Sequence, residues 1–222
     1  MPQTMLRRLV AEALGTGFLV AAVVGSGIMA ERLSGSNVAL ALLANTIATA
    51  AALVALILTF GQISGAHLNP IVSLSATLQR ELSWREFGPY VAAQIVGAIA
   101  GVMIANVMFG LSLVSFSQHS RAGGAQLLSE FIATFGLVSV IAGCARHRSD
   151  AVAFAVAGYI AAAYWFTPST SFANPAVTLA RSLSDTFTGI APNNVPGFIV
   201  AQMIGAVAAT WLFGWLRPPR QT

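Results

Sequence analysis

Several segments of this sequence are apolar, carry no charged residue and are long enough to cross a lipid bilayer. Residues 38–60 and 91–110 are two of them. At about 1.5 Å per helical residue, each covers a hydrocarbon core ~30 Å thick. Only 8% of the 222 residues are charged, whereas about a quarter are charged in soluble domains. We therefore expect the chain to fold in lipid rather than in water.

Six long apolar segments are accompanied by two short ones. The long segments are residues 9–30, 38–60, 87–110, 126–145, 151–166 and 195–216. The short segments, residues 69–78 and 174–183, have about ten residues each, which is typical of re-entrant helices that cross half of a bilayer. The sequence thus predicts an all-α membrane protein with six transmembrane helices and two re-entrant half-helices, in a single transmembrane domain over residues 1–222.

The two halves of the chain, approximately residues 5–112 and 124–217, resemble each other. Residues 11–20 recur as 129–138, with a glutamate at the second position of each copy, Glu12 and Glu130. Each half holds three spans, and because three is odd, the second copy is inverted in the membrane. Gln94 and Gln202 also occupy matching positions, and the small residues beside them indicate close packing between helices.

Each short segment begins with an Asn-Pro pair, Asn69-Pro70 in the first half and Asn174-Pro175 in the second. Asparagine is a favoured N-cap and proline suits the first helical turn, so each pair predicts a helix start. The inverted repeat brings the two starts together near the midplane. Each contributes about half a positive charge there, a field that repels cations and protons while neutral hydroxyl-bearing solutes pass. The two side-chain amides are expected to donate hydrogen bonds to the solute.

Arginine determines the predicted orientation, since the chain has no lysine. With the N-terminus in the cytoplasm, eight arginines lie inside: Arg7, Arg8, Arg80, Arg85, Arg146, Arg148, Arg217 and Arg220. Three lie outside: Arg32, Arg121 and Arg181. This excess predicts that both termini are cytoplasmic, and the compact chain suits a bacterial inner membrane. The arginines stand at the ends of apolar runs and form no stripe with aromatic residues, so nucleic-acid binding is not expected.

The sequence around the two Asn-Pro pairs resembles the aquaporin and glycerol-facilitator family. Residues 64–70, Ser-Gly-Ala-His-Leu-Asn-Pro, are similar to its first signature, and residues 172–176, Phe-Ala-Asn-Pro-Ala, to its second. The resemblance covers nearly the whole chain. It implies a passive channel for small uncharged solutes that excludes ions and protons, forms homotetramers with one pore per subunit, and has neither enzymatic activity nor a cofactor.

The resemblance also implies roles for particular residues. It places six at the pore midplane: Asn69, Pro70, Ile71, Asn174, Pro175 and Ala176. Glu12 and Glu130 fall where the family has buried glutamates that accept backbone hydrogen bonds from the loops. Ile71 stands where the family usually has alanine, and it either packs the interface of the half-helices or narrows the lumen.

The family's spacing places the outer constriction on four residues: Thr49, Ala162, Ser171 and Val177. The family usually has arginine where Val177 stands. None of the four is aromatic or charged, which implies a wider, less polar filter than that of a water-only pore and favours glycerol-sized solutes. Arg181, one turn further along, either restores a charge in the outer vestibule or pairs with Asp185.

Bacterial channels associated with arsenic resistance also resemble this chain, because they combine a short length with loss of that arginine. Undissociated arsenite or antimonite and methylated arsenicals therefore join the expected solutes. Two alternatives stay open: a secondary transporter of the inverted-repeat type, and a water-only aquaporin. His67 is expected to be structural, because His119 and His147 are remote in sequence and no metal-ligand cluster is visible.

Overall fold

The structure is a computed structural model that describes residues 3–145 and 148–216, and within those residues it has no strand. The described part contains eight α-helices: α1 Met5–Leu33, α2 Val38–Ser64, α3 Pro70–Leu78, α4 Trp84–Met108, α5 Gly124–Ala145, α6 Val152–Phe166, α7 Pro175–Arg181 and α8 Val195–Leu216. Short 3-10 helices, Ser149–Ala151 and Pro192–Asn194, precede α6 and α8. The orientation prediction also used Arg146, Arg217 and Arg220, which lie outside the described residues, as does His147.

The predicted fold class is confirmed. Helices α3 and α7, of 9 and 7 residues, follow the two Asn-Pro positions and are too short to span. Five stretches are long and apolar enough to cross a membrane: α1, α2, α4, α5 and Pro192–Leu216. Helix α6 lies where the fifth span was predicted but has 15 residues. At about 1.5 Å per residue, α6 is therefore shorter than a full crossing of the hydrocarbon core.

The helical bundle is apolar outside and holds its polar groups inside. Large exposed apolar side chains include Phe18, Phe154, Trp165, Trp211 and Trp215. By contrast, the polar residues with no exposed surface include Glu12, Gln94, Glu130 and Gln202. This distribution reverses that of a soluble protein, in which glutamate is almost never fully buried unless it is paired. It fits a chain whose surrounding solvent is lipid.

Glycines let pairs of helices touch through their backbones. Helix α1 packs against α4, and α5 packs against α8. A Cβ built on Gly97 would lie 2.0 Å from the carbonyl oxygen of Ala13, and one on Gly101 would lie 2.2 Å from another carbonyl oxygen of α1. In the second half, a Cβ on Gly205 would lie 2.5 Å from the carbonyl oxygen of Phe131. Small residues at these crossings are what membrane helices use to approach closely.

We expect Gly97→Ala to destabilise the channel, because the added methyl group overlaps the backbone of α1. Overpacking of this kind costs about 1–3 kcal/mol. Gly88→Ala is the matched control on the same helix, since a Cβ there meets nothing within 4 Å. Thermal unfolding in detergent, followed by size-exclusion chromatography, should show a lower midpoint for Gly97→Ala only. Equal midpoints would mean that α1 and α4 separate at little cost.

Candidate functional site

The starts of the two half-helices meet inside the bundle. Asn69 caps α3, and its Nδ2 donates to the carbonyl oxygen of Ala173 at 2.8 Å. Asn174 caps α7, and its Nδ2 donates to the carbonyl oxygen of Leu68 at 2.9 Å. Each cap is therefore hydrogen-bonded to the loop that leads into the other half-helix. Both asparagines line one cavity.

The two caps have the same local geometry. Asn69 has φ −162° and ψ 122°, and Asn174 has φ −158° and ψ 110°. The Asn69 side-chain oxygen accepts from the backbone N–H of Ile71, and that of Asn174 accepts from those of Ala176 and Val177. Proline occupies the first helical position in both, where its missing N–H costs nothing. Capping thus uses each amide oxygen and leaves the NH2 groups to face the other loop and the cavity.

A buried carboxylate holds the loop that leads into α3. Glu12, on α1, accepts hydrogen bonds at Oε1 from the Ser64 hydroxyl at 2.6 Å and from the backbone N–H of His67 at 2.9 Å. Its Oε2 accepts from the backbone N–H of Leu68 at 2.7 Å and from Gln94 Nε2 at 2.8 Å. A carboxylate with this many donors is stable away from water, because its charge is fully hydrogen-bonded.

Glu130 stands in the same relation to the second loop. Its Oε1 accepts from the backbone N–H of Phe172 at 2.9 Å, and its Oε2 accepts from that of Ala173 at 2.9 Å. Gln202 Nε2 also donates to Oε2, at 2.6 Å. The hydrogen bonds that the family resemblance implied for the two glutamates are therefore present in the geometry of both halves.

The two glutamines connect the glutamates to the half-helices. Besides binding a carboxylate, Gln94 Nε2 donates to the Ser73 hydroxyl of α3 at 2.9 Å. Gln202 Nε2 donates in the same way to the Thr178 hydroxyl of α7 at 2.9 Å. Helix packing alone, which the sequence predicted for these glutamines, is thus an incomplete description. Their amides fix the angle at which each half-helix leaves its loop.

The loops before the half-helices adopt backbone angles that only glycine favours. Ala66 and Leu68 have φ of 47° and 50°, and Ser171 and Ala173 have φ of 49° and 44°. Such conformations cost about 1–3 kcal/mol each and persist only where the surroundings fix them. The glutamate hydrogen bonds provide that constraint. All four residues line the cavity, so the strained backbone forms part of its wall.

The cavity has a volume of about 620 Å³ and is lined by both polar and apolar residues. The polar residues of the lining include Thr49, Tyr164 and Ser171 with the caps Asn69 and Asn174. Apolar side chains form most of the rest, among them Val23, Leu53, Leu137, Val156, Ile160 and Val177. The Ser171 hydroxyl is buried and has no hydrogen-bond partner among the described residues. The wall therefore offers both polar groups and apolar surface to a solute.

One of the four predicted constriction residues is misplaced. Thr49, Ser171 and Val177 line the cavity, but Ala162 is exposed on the outside of α6. The inward residues of α6 are spaced by four: Val156, Ile160 and Tyr164. At about 100° per residue, position 162 points away from a face defined by 160 and 164. Tyr164 lines the cavity instead, with its hydroxyl 3.3 Å from Thr49 Oγ1, so an aromatic side chain stands beside the residues expected at the constriction.

Ile71 and Ala176, which the family resemblance placed at the pore midplane, are both buried. Ile71 is buried against Val138, Ala206 and Ala209 and is not among the residues lining the cavity. Of its two predicted roles, the structure therefore favours packing. Ala176 is also buried, with no exposed surface.

His67 lies on the cavity wall beside the first half-helix. Its Nδ1 is 3.0 Å from the Ser73 hydroxyl of α3, and its ring lies 5.4 Å from that of Tyr90. Within residues 3–145 and 148–216, no group of three or more His, Cys, Asp or Glu side chains could hold a metal ion. The histidine is thus placed to support α3.

Arg181 lines the same cavity as Val177, and the pairing with Asp185 is not formed. Its Nε donates to the carbonyl oxygen of Thr188, and its guanidinium carbon lies 3.4 Å from the centre of the Phe172 ring. Asp185 instead accepts from the backbone N–H of Gln118 at 2.8 Å. Asp185 is therefore bound by the segment between α4 and α5 and not by Arg181.

Comparison with known proteins gives consistent results. A family profile described as Major intrinsic protein matches residues 2–153. Aquaglyceroporin AqpS of Rhizobium meliloti (strain 1021) is 55% identical over 215 residues, covering 97% of this chain and 92% of that protein. Probable aquaporin AqpM of Archaeoglobus fulgidus is 32% identical over 185 residues, covering 77% and 74%. The chain belongs to the major intrinsic protein family.

A solved structure of another member of this family shares the fold. The X-ray structure of the aquaglyceroporin from Plasmodium falciparum matches with a TM-score of 0.68 and 18% identity, covering 95% of this chain and 96% of that one. Members of the major intrinsic protein family are membrane channels rather than enzymes, and this chain is accordingly an integral membrane channel. The cavity between the half-helices is its candidate conduction path.

We expect Glu12→Gln to reduce solute flux by at least about tenfold per folded channel. The new amide presents an NH2 group to some of the four donors that the carboxylate binds, which leaves buried donors unsatisfied and releases the loop. Glu31→Gln, at an exposed position on the same helix, is the matched control. Osmotic swelling of proteoliposomes, normalised to protein in the vesicles, measures the effect. Unchanged flux in Glu12→Gln would show that the loop keeps its shape without the carboxylate.

Proposed function

We propose that the protein is a passive channel for small uncharged solutes of glycerol size as well as water, and that it excludes ions and protons. The observation that carries the proposal is the meeting of two asparagine-capped half-helices at one cavity, each cap bonded to the opposite loop. The relative named an aquaglyceroporin supports the same solute class. We further propose a homotetramer in a bacterial inner membrane, with both termini in the cytoplasm.

Permeation follows from the pairing needs of the wall. Each cap amide has two N–H groups, and the opposite loop accepts from one of them. The second N–H of Asn69 and of Asn174 is left to donate to a passing hydroxyl. A polyol replaces its lost water contacts at these groups while its carbon atoms face the apolar wall, which lowers the cost of its dehydration.

Ion exclusion follows from the positive helix ends at the midplane and, among the described residues, from the lack of a free carboxylate beside them. Both half-helices direct their N-termini at the same point, so positive partial charges from two dipoles oppose a cation there. The caps donate hydrogen bonds to the solute, which orients water and interrupts proton transfer along it. The two carboxylates closest to the caps, Glu12 and Glu130, already accept bonds at both oxygens. They are therefore occupied by the loops and cannot coordinate an ion.

The neutral outer wall determines the size of the solutes. Thr49, Tyr164, Ser171 and Val177 line the cavity there. A valine in place of a long arginine leaves room for a three-carbon polyol. Undissociated arsenite and antimonite present hydroxyl groups like those of glycerol, and methylated arsenicals add a methyl group that suits Val177. We therefore include these species among the proposed solutes.

Flux measurements in proteoliposomes test this function. Glycerol, urea and undissociated arsenite, supplied side by side, should each enter in proportion to their gradients without saturation. Saturable uptake coupled to protons or sodium would favour a secondary transporter, the main alternative for an inverted repeat. Water flux with all three solutes excluded would instead indicate a water-only pore.

For the constriction, we expect Val177→Arg to cut glycerol flux at least about tenfold while water flux falls much less. The longer, charged side chain is expected to fill the space beside Thr49 and Tyr164. Glycerol then loses both space and hydrogen-bond partners, whereas the smaller water molecule still passes. Val177→Met is the matched control for side-chain length without charge. Stopped-flow light scattering gives both rates. Equal effects on glycerol and water would place the narrowest point elsewhere.

A further inference from the structure

Arg181 is a charged side chain inside the wall of the cavity. It is 2% exposed and lines the cavity at the last residue of α7, one helical turn beyond Val177. The acidic residues that line the same cavity, Glu81 and Asp150, lie at its other end, beside the C-termini of α3 and α5. The Arg181 end of the path therefore carries a cation in a wall that is otherwise neutral.

The positive charge of Arg181 is not neutralised by an ion pair. Within the described residues, the salt bridges are Arg8–Glu86 and Arg148–Asp150, so no carboxylate lies within ion-pair distance of Arg181. Only its Nε makes a hydrogen bond to the described protein, to the Thr188 carbonyl. The two Nη atoms are not among the described side-chain atoms that are fully buried and also lack a hydrogen-bond partner. Because the residue lines the cavity, these two nitrogens are open to it.

The position of the guanidinium is fixed from behind. The Phe172 ring contacts two arginines, with the guanidinium carbon of Arg181 3.4 Å and that of Arg121 5.0 Å from its centre. Arg121 is itself held by the carbonyl oxygens of Gly189 and Ser169. The carboxylate of Glu130 accepts a hydrogen bond from the backbone N–H of Phe172. The residue whose ring contacts Arg181 is therefore held by the same carboxylate that binds the loop before α7. Stacking on such a face holds a planar guanidinium in one orientation.

We propose that Arg181 is the ion-selectivity residue of the outer cavity, displaced one turn from the neutral ring that determines solute size. This inference rests on the proposed function and adds a division of tasks to it. The fixed charge repels cations before they reach the ring, in a wall where the dielectric constant is low and a charge acts strongly. Its free Nη groups donate to the oxygen atoms of neutral solutes. Thr49, Tyr164, Ser171 and Val177 then select by size alone.

Urea and guanidinium provide the sharpest probe, because the two molecules are nearly equal in shape and differ in charge. Both are supplied at millimolar concentration to proteoliposomes, and their permeability ratio is measured together with glycerol flux. Arg181→Gln should raise guanidinium permeability relative to urea by about tenfold or more, since the repelling charge is gone; glycerol flux, measured in parallel, shows that the variant still conducts. Arg32→Gln is the matched control, because Arg32 is an exposed arginine that donates to Phe109 on the outside of the bundle. It should leave the ratio unchanged.

Two further variants separate charge from structure. Arg181→Met keeps a long side chain against Phe172 without the charge. It should raise the permeability of guanidinium relative to urea as Arg181→Gln does, and it supplies the measurement if the glutamine variant folds poorly. The double variant Arg181→Val with Val177→Arg moves the charge back by one turn. It should exclude guanidinium again but lose glycerol flux, since charge and narrow ring then coincide.

The outcomes distinguish this inference from the proposed function. An unchanged guanidinium to urea ratio in folded Arg181→Gln or Arg181→Met, with urea and glycerol flux intact, overturns the role of Arg181 and leaves the neutral-solute channel standing. Absence of urea and glycerol flux in the wild-type protein overturns the proposed function, and the inference with it.

Discussion

The hydrogen bonds between each asparagine cap and the opposite loop are the contacts on which the pore depends. Leu68 and Ala173 each give a carbonyl oxygen to the amide of the other half, so neither half-helix can move outward alone. A loop at this depth survives only if its polar groups are paired or face a wet cavity, because lipid supplies no partners. The caps pair the carbonyls, and Glu12 and Glu130 pair the N–H groups. The groups that remain are the ones a solute meets.

Burying two carboxylates in a membrane protein is costly, and their surroundings show how the cost is offset. Each oxygen accepts at least one backbone or amide N–H, and the glutamine that binds each carboxylate also binds a hydroxyl of the half-helix. Removing any member leaves a buried charge or donor without a partner, which is far less favourable than the intact network. The same arrangement recurs in both halves, as expected for a chain built from an inverted repeat.

The sequence was sufficient to predict the elements whose chemistry is local, and insufficient where orientation or tertiary contacts decide. The Asn-Pro starts, the matched glutamates and the apolar spans follow from residue type and position alone. Ala162 was selected by counting residues back from Asn174, but the rotation of α6 brings Tyr164 to the wall instead. The spacing of Val156, Ile160 and Tyr164 carried that signal. The partner of Arg181 had no such signal, because Asp185 is bound by the backbone of Gln118, more than sixty residues earlier.

Separating the charge from the narrow ring changes what the pore can select. If one arginine both narrows a pore and excludes cations, a wider pore requires its removal and weakens the exclusion. Here Val177 leaves the ring neutral, while Arg181 keeps a charge in the wall of the same cavity, about one turn or ~5 Å further along. That distance is shorter than the ~10 Å over which charges act even in salt solution. Under the proposed division of tasks, a cation meets the field before it meets the ring, whereas a neutral polyol meets donors and space. The proposed arrangement thus combines passage of glycerol-sized solutes and charge selectivity in one path.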